Sequence, residues 1–139
     1  MPYNTGPVKE LSHEQCWDYL KTTTVARIAL SVGGDIDIFP INVYADGKSL
    51  LFRTAPGTKL LELTVHDRVA VEADGHTEAD AWSVVIKGTA RELQHQSEID
   101  EADASPLDPW VPTLKYRYVK VEPVSITGRY FERSGEPER

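Results

Sequence analysis

The residues best equipped for chemistry sit together at 53–59, Arg53-Thr54-Ala55-Pro56-Gly57-Thr58-Lys59. Arginine offers a planar fork of donors, lysine a compact positive charge, and the two threonines neutral hydroxyls. A strand ending at Thr54, a glycine turn and a helix beginning at Thr58 would also turn unpaired N–H groups outward, which suits an anion. Together they match a phosphate monoester. The same pattern equally describes a plain N-cap at Thr58 flanked by solvated Arg53 and Lys59, and both readings stand at this point. The glycine and lysine spacing is not that of a Walker loop.

Other side chains carry less. Trp82 and Trp110 could stack on a planar ligand, but tryptophans in a small barrel also serve as core or interface anchors. His66 and Asp67 follow a short helix, where a histidine usually complements the last carbonyls. His13, His76 and His95 show no pairing that would make a metal site or a catalytic triad, so no metal is expected. Cys16 is expected as a buried apolar residue. The acidic Glu98, Asp100, Glu101 and Asp103 are expected to form a solvated face.

The elements that must position the 53–59 turn are short. Ser12 followed by Gln15 has the form of a capping box and predicts a helix over 13–22. Three threonines then oppose helix, and 25–31 alternates as a strand does. Gly33-Gly34 turns the chain into a second strand over 35–44, with Asp35, Asp37 and Phe39 on one face and Ile36, Ile38 and Pro40 on the other. Pro40 cannot donate to a ladder, which predicts a bulge or an edge. The turn at 45–48 leads to a strand over 49–54, and apolar spacing predicts a short helix over 58–65. Further strands follow at 68–74, 82–94, 116–122 and 125–131, with a helical turn at 97–103. Gly88 inside the 82–94 segment marks a bend or a close backbone approach. Six to seven antiparallel strands with short helices predict a mainly β fold closed as a barrel.

Composition narrows the partners. The 139 residues suffice for one domain, read over 1–139 with frayed ends at 1–10 and 132–139. A net charge of −7 repels nucleic acid unless the cations gather on one face. With 40% hydrophobic and 27% charged residues and no long apolar run, neither a membrane span nor a disordered chain is expected. The single cysteine excludes an internal disulfide, and the start carries no secretory pattern, so the expected location is the cytoplasm.

Four segments, taken in order and spacing, resemble the pyridoxamine 5′-phosphate oxidase-like, FMN-binding split-barrel superfamily. They are Thr23-Thr24-Val25-Ala26-Arg27-Ile28-Ala29, Phe39-Pro40-Ile41-Asn42, Phe52-Arg53-Thr54 with Gly57-Thr58-Lys59, and Trp82-Ser83-Val84-Val85-Ile86-Lys87-Gly88-Thr89-Ala90. The closing Val121-Glu122-Pro123 and Thr127-Gly128-Arg129 are similar too, and the nearest branch is the small bacterial, nitroimidazole-reductase-like one.

The resemblance implies that Arg53, Thr54, Thr58 and Lys59 hold the phosphate of FMN. It further implies that the backbone of Pro40, Ile41, Asn42 and Val43 lines the flavin ring, with Trp82, Ser83 and Trp110 near the cofactor. The implied activity is oxidoreduction of a small organic acceptor with hydride from NAD(P)H, and the implied partner is a second copy with the flavin at the interface. FAD or a deazaflavin is the alternative cofactor, for whose anionic tail Arg27, Lys87, Arg117 and Arg129 are available; a non-catalytic flavin carrier is the alternative role. Two departures matter. The chain lacks the longer closing segment with arginine and histidine of full pyridoxamine phosphate oxidases, and it has Thr58 where some nitroimidazole-reductase-like members have histidine.

Overall fold

A computed structural model describes residues 8–64, 68–107 and 116–133. The first helix, α1 (His13–Lys21), starts where the sequence places it. Ser12 Oγ accepts from the Gln15 N–H at 3.1 Å, and Gln15 Oε1 accepts from the Ser12 N–H at 2.8 Å. The helix ends in the threonine run, where the hydroxyls of Thr22 and Thr23 both donate to the Tyr19 carbonyl. Its inner face buries Cys16, Trp17 and Leu20.

Eight strands form one antiparallel sheet: β1 (Val8–Glu10), β2 (Val25–Val32), β3 (Asp35–Asn42), β4 (Tyr44–Ala45), β5 (Leu50–Thr54), β6 (Arg68–His76), β7 (Asp80–Glu92) and β8 (Arg117–Glu132). Their order is β3-β2-β6-β7-β8-β5-β4, with β1 added on β8. The two ends of that path, β3 and β4, are separated in the chain by Val43 alone, so the sheet must curl back on itself. The result is the split, half-barrel architecture that the sequence predicts. Gly33 and Gly34, at φ 60° and 87°, make the β2–β3 turn that only glycine adopts without strain.

Three details differ from the sequence reading. Residues 8–10, expected in a frayed start, pair with 129–131 of β8. The second strand is interrupted at Val43, whose N–H donates to the Thr24 carbonyl at 3.0 Å, and β4 begins beyond it. The two closing strands are one, because β7 is long enough to pair with β8 from Val119 to Glu132. Pro123 lies inside β8 opposite Gly88, at a register shift between Lys87 and Gly88. A Cβ on Gly88 would overlap the Glu122 carbonyl, so the proline bends the strand there without ending it.

The barrel interior is filled by Leu20, Ile28, Leu50, Phe52, Val71, Val84, Ile86, Val119 and Val121, all essentially inaccessible. Outside it, helix α3 (Gln96–Asp103) lies over β5 and β8 and closes a second cluster of Leu51, Leu93, Ala102 and Tyr118. The outer side of β2, β3 and β6 has no such cover among the described residues. Ile36 and Ile38 of β3 are 74% and 65% exposed, while Phe39 and Ile41 on the opposite face turn to the core. Pro40 lies on the exposed side of β3, which is a sheet edge as expected.

Candidate functional site

The 53–59 turn is built as a cap. Helix α2 (Lys59–Thr64) follows it, and Gly57 takes φ 76° to make the turn. Thr58 Oγ1 donates to the Ala55 carbonyl at 3.0 Å and accepts from the Leu61 N–H at 3.2 Å. Its one proton is then spent, so in the 2.9 Å contact between Thr54 Oγ1 and Thr58 Oγ1 it is Thr54 that donates. Lys59 Nζ lies 3.4 Å from Asp37 Oδ1 of β3, and its side chain is 66% exposed. With only six residues, α2 contributes little dipole, so any anion here is met mainly by side chains.

Arg53 leaves β5 on the opposite face from Thr54, as strand alternation requires. Its guanidinium carbon stands 4.2 Å from the centroid of the Tyr116 ring. Tyr116 meets Tyr118 edge to face at 5.2 Å, and both hydroxyls donate to Asp103 Oδ1, at 2.8 and 2.7 Å. Those hydroxyls, Tyr118 first, hold the Asp103 carboxyl below the ordinary range, with the Arg53 charge adding to them. Burial and the carboxylate push the Tyr118 phenol up. Arg53 Nε is buried and makes no hydrogen bond among the described residues. A buried donor without an acceptor is costly, and an acceptor oxygen, such as one of an anion, would relieve it. Arg53 and Lys59 are the cations this segment offers to an anionic group near the end of β5, where the strand stops at Thr54.

The remaining expected residues disperse. Ile41 and Val43 bury their side chains, while Pro40 is exposed and Asn42 half-buried on the other side of this edge segment. The Asn42 side-chain amide reaches the Thr24 carbonyl at 3.5 Å. Trp82 stacks on Tyr19 of α1, with centroids 4.7 Å apart, and packs so closely on Gly75 that a Cβ there would lie 2.6 Å from its Nε1. It serves as an anchor between α1 and the sheet. Ser83 pairs with Asp74 and Arg129. Arg53 and Trp82 pair with β8 at Tyr118 and Tyr130, so the sheet separates them along its length. Trp110, His66 and Asp67 lie outside the described residues.

The sequence reading missed Asp37, Tyr116, Tyr118 and Asp103. The alternation of Tyr116-Arg117-Tyr118 was the available signal, since it puts two phenols on one strand face. The acidic stretch is also more than a solvated face. Glu98 accepts from Arg91 Nη1 and Nη2 at 3.2 and 2.6 Å, and Asp103 takes the two phenols. Cys16 is buried and free, and burial raises its thiol pKa. Of the cations reserved for an anionic tail, Arg27 is engaged by Glu72 and Asp74, at 2.8 and 3.3 Å.

A sequence model described as pyridoxamine 5′-phosphate oxidase matches residues 12–130. An uncharacterised protein of Mycobacterium tuberculosis is 44% identical over 93 residues, which is 67% of this chain and 84% of that protein. The solved structure of an FAD-binding protein from Mycobacterium smegmatis is 40% identical, covering 91% of this chain and 100% of that one at a TM-score of 0.83. A Corynebacterium glutamicum structure, provisionally named a pyridoxamine 5′-phosphate oxidase, is 37% identical over 95% of this chain and 98% of its own, at 0.87. The fold, the order of the motifs and these matches agree, and the chain belongs to the pyridoxamine 5′-phosphate oxidase-like, FMN-binding split-barrel superfamily.

Proposed function

We propose that the protein is a flavin-dependent oxidoreductase whose cofactor phosphate is held at the end of β5 by Arg53, Thr54, Thr58 and Lys59. The observation that carries this is the buried Arg53 Nε without an acceptor; to join it, the Thr54 hydroxyl would turn from Thr58 to the phosphate and Lys59 from Asp37, while Thr58 caps α2. When bound, the flavin supplies two-electron chemistry, taking hydride from a reduced nicotinamide and passing electrons to a small organic acceptor. The chain's own part is to orient it. Arg53 and Lys59 fix the phosphate, the backbone of 40–43, at the end of edge strand β3, offers groups to the ring, and the buried Ile41 and Val43 anchor that segment to the core. FMN is our first choice; FAD is the second, supported by the ligand named for the relative from Mycobacterium smegmatis.

We further propose that a second copy completes the site by covering the bare sheet face. That face has an apolar middle of Ala29, Ile36, Ile38 and Ala70, bounded by Arg68 and Lys87 at one end and at the other by Glu72 and Asp74, whose two charges exceed that of the Arg27 between them. A two-fold axis through the middle sets each basic end on the partner's acidic end. Pro40, from the segment assigned to the ring, lies on this exposed side, which makes the face continuous with the proposed site.

The test starts from the absorbance spectrum of the purified protein and titration with FMN, FAD and a deazaflavin. Addition of NADH or NADPH without oxygen follows. Bound flavin that bleaches supports the oxidoreductase, flavin that binds and stays oxidised with either nicotinamide favours a carrier, and no binding rejects the reading. Replacing Arg53 or Lys59 by Ala should weaken FMN about ten- to a hundredfold, the worth of one charge-assisted bond. Ile36→Lys with Ile38→Lys should turn a dimer in sedimentation into a monomer; an unchanged dimer would place the contact elsewhere.

A further inference from the structure

Resting on the phosphate assignment above, we infer that Tyr116, Tyr118 and Asp103 form a positioning device that presents Arg53 with its donors free. A guanidinium can be held in two ways. A carboxylate grips its edge and consumes the N–H donors that an incoming anion needs, whereas an aromatic ring supports its face and consumes none. Arg53 is held the second way, 4.2 Å above the Tyr116 ring, and its Nε has no acceptor.

A carboxylate is nevertheless close enough for its charge to be felt. Asp103 interacts electrostatically with Arg53, yet makes no ion pair with it within 4.0 Å among the described residues. One of its oxygens is taken by two phenols, at 2.8 and 2.7 Å, and this holds it off. The position of Asp103 is also unusual, because an acidic residue in the last turn of α3 opposes the helix dipole. The phenols are the compensation for keeping it there. The device works at a distance from the ligand: Tyr116 supplies the platform, Asp103 orients the platform through its hydroxyl, and Tyr118 shares the load. None of the three needs to touch the phosphate. Helix α3, remote in sequence from the 53–59 turn, thereby takes part in the site.

The test compares affinity for FMN with affinity for riboflavin, which lacks the phosphate, so that the ratio reads the phosphate contacts and cancels changes in ring binding. The variant is Tyr116→Phe with Tyr118→Phe, which keeps both rings and removes only the two hydroxyls that restrain Asp103. The freed carboxylate should then pair with Arg53 and lower the ratio about fivefold, the worth of one exposed ion pair in competition. Adding Asp103→Asn to the double variant should restore the ratio. A double variant that keeps the wild-type ratio while Arg53→Ala lowers it overturns the device and leaves the phosphate assignment standing. A fall that Asp103→Asn does not reverse also overturns it, because the loss would then come from a displaced ring. If Arg53→Ala itself leaves the ratio unchanged, the phosphate assignment fails and the device with it.

Discussion

The curled sheet has two outer faces, and the chain treats them differently. Over β5 and β8 it lays α3, so that Leu51, Leu93, Ala102 and Tyr118 are buried by residues of the same chain. Over β2, β3 and β6 it lays nothing among the described residues, and Ile36 and Ile38 stand 74% and 65% exposed. The charges follow the same division. On the covered face Glu98 is held down by hydrogen bonds from Arg91, and Asp103 by those of Tyr118 and Tyr116. On the bare face Glu72 is pushed up by burial and then by Asp74, with Arg27 opposing. Apart from Arg53 Nε, the polar groups named on the covered face are paired within the chain, whereas the bare face carries exposed apolar side chains and a raised carboxyl that the proposed second copy would cover. A long, exposed apolar edge such as β3 is what single-chain proteins normally blunt.

The largest effect that would break this contrast is on the covered face. Leu51→Ala should cost about 2–5 kcal/mol in urea denaturation, as cavities in closed clusters do. Ile38→Ala, measured at a concentration at which sedimentation shows a monomer, should stay within about 0.5 kcal/mol. Equal losses at the two positions would show that the bare face is packed after all. Next comes the tie between α3 and β7: Arg91 bonds Glu98 at 2.6 Å and Glu122 at 3.1 Å. Being 42% exposed, it is worth little, and Arg91→Ala should lose about 0.5–1 kcal/mol.

The pH dependence sharpens the comparison further, because the two faces have opposite signs. The lowered carboxyls Glu98 and Asp103 stabilise the fold above the ordinary carboxylate range, and that contribution is lost as pH falls through their folded values. Glu98→Gln with Asp103→Asn should flatten the acid limb of a stability profile. The raised Glu72 contributes most below the ordinary glutamate value and loses that contribution as pH rises through its folded one. Glu72→Gln should therefore slightly stabilise the dilute protein at neutral pH and leave it unchanged in acid. In concentrated solution the sign should reverse if the proposed dimer forms, since Glu72 would then meet the second copy's basic end. A neutral effect at both concentrations would remove Glu72 from the contact.

Much of this molecule is legible in its residues. The Ser12–Gln15 capping box, the threonines that stop α1, the Gly33-Gly34 turn and the edge position of Pro40 all rest on local chemistry, and local chemistry does not wait for the fold. The joining of two expected strands into β8 was not legible, because it depends on the bulge at Gly88, a residue far away in sequence. The turn at 53–59 was recognised as a set of donors, but its internal accounts were not: the Thr58 proton goes to Ala55, and Lys59 faces Asp37 from β3.

By itself, the sequence determined the strand and helix types, the curled antiparallel sheet and the donors at 53–59, because alternation, capping and turn residues act over a few positions. Only the tertiary structure decided that Arg53 would rest on Tyr116, that Asp103 would be held by two phenols, and that one outer face would be covered and the other bare. Those outcomes depend on register between strands and on where α3 lands. Both are set by packing between segments distant in the chain, which no short window of residues contains.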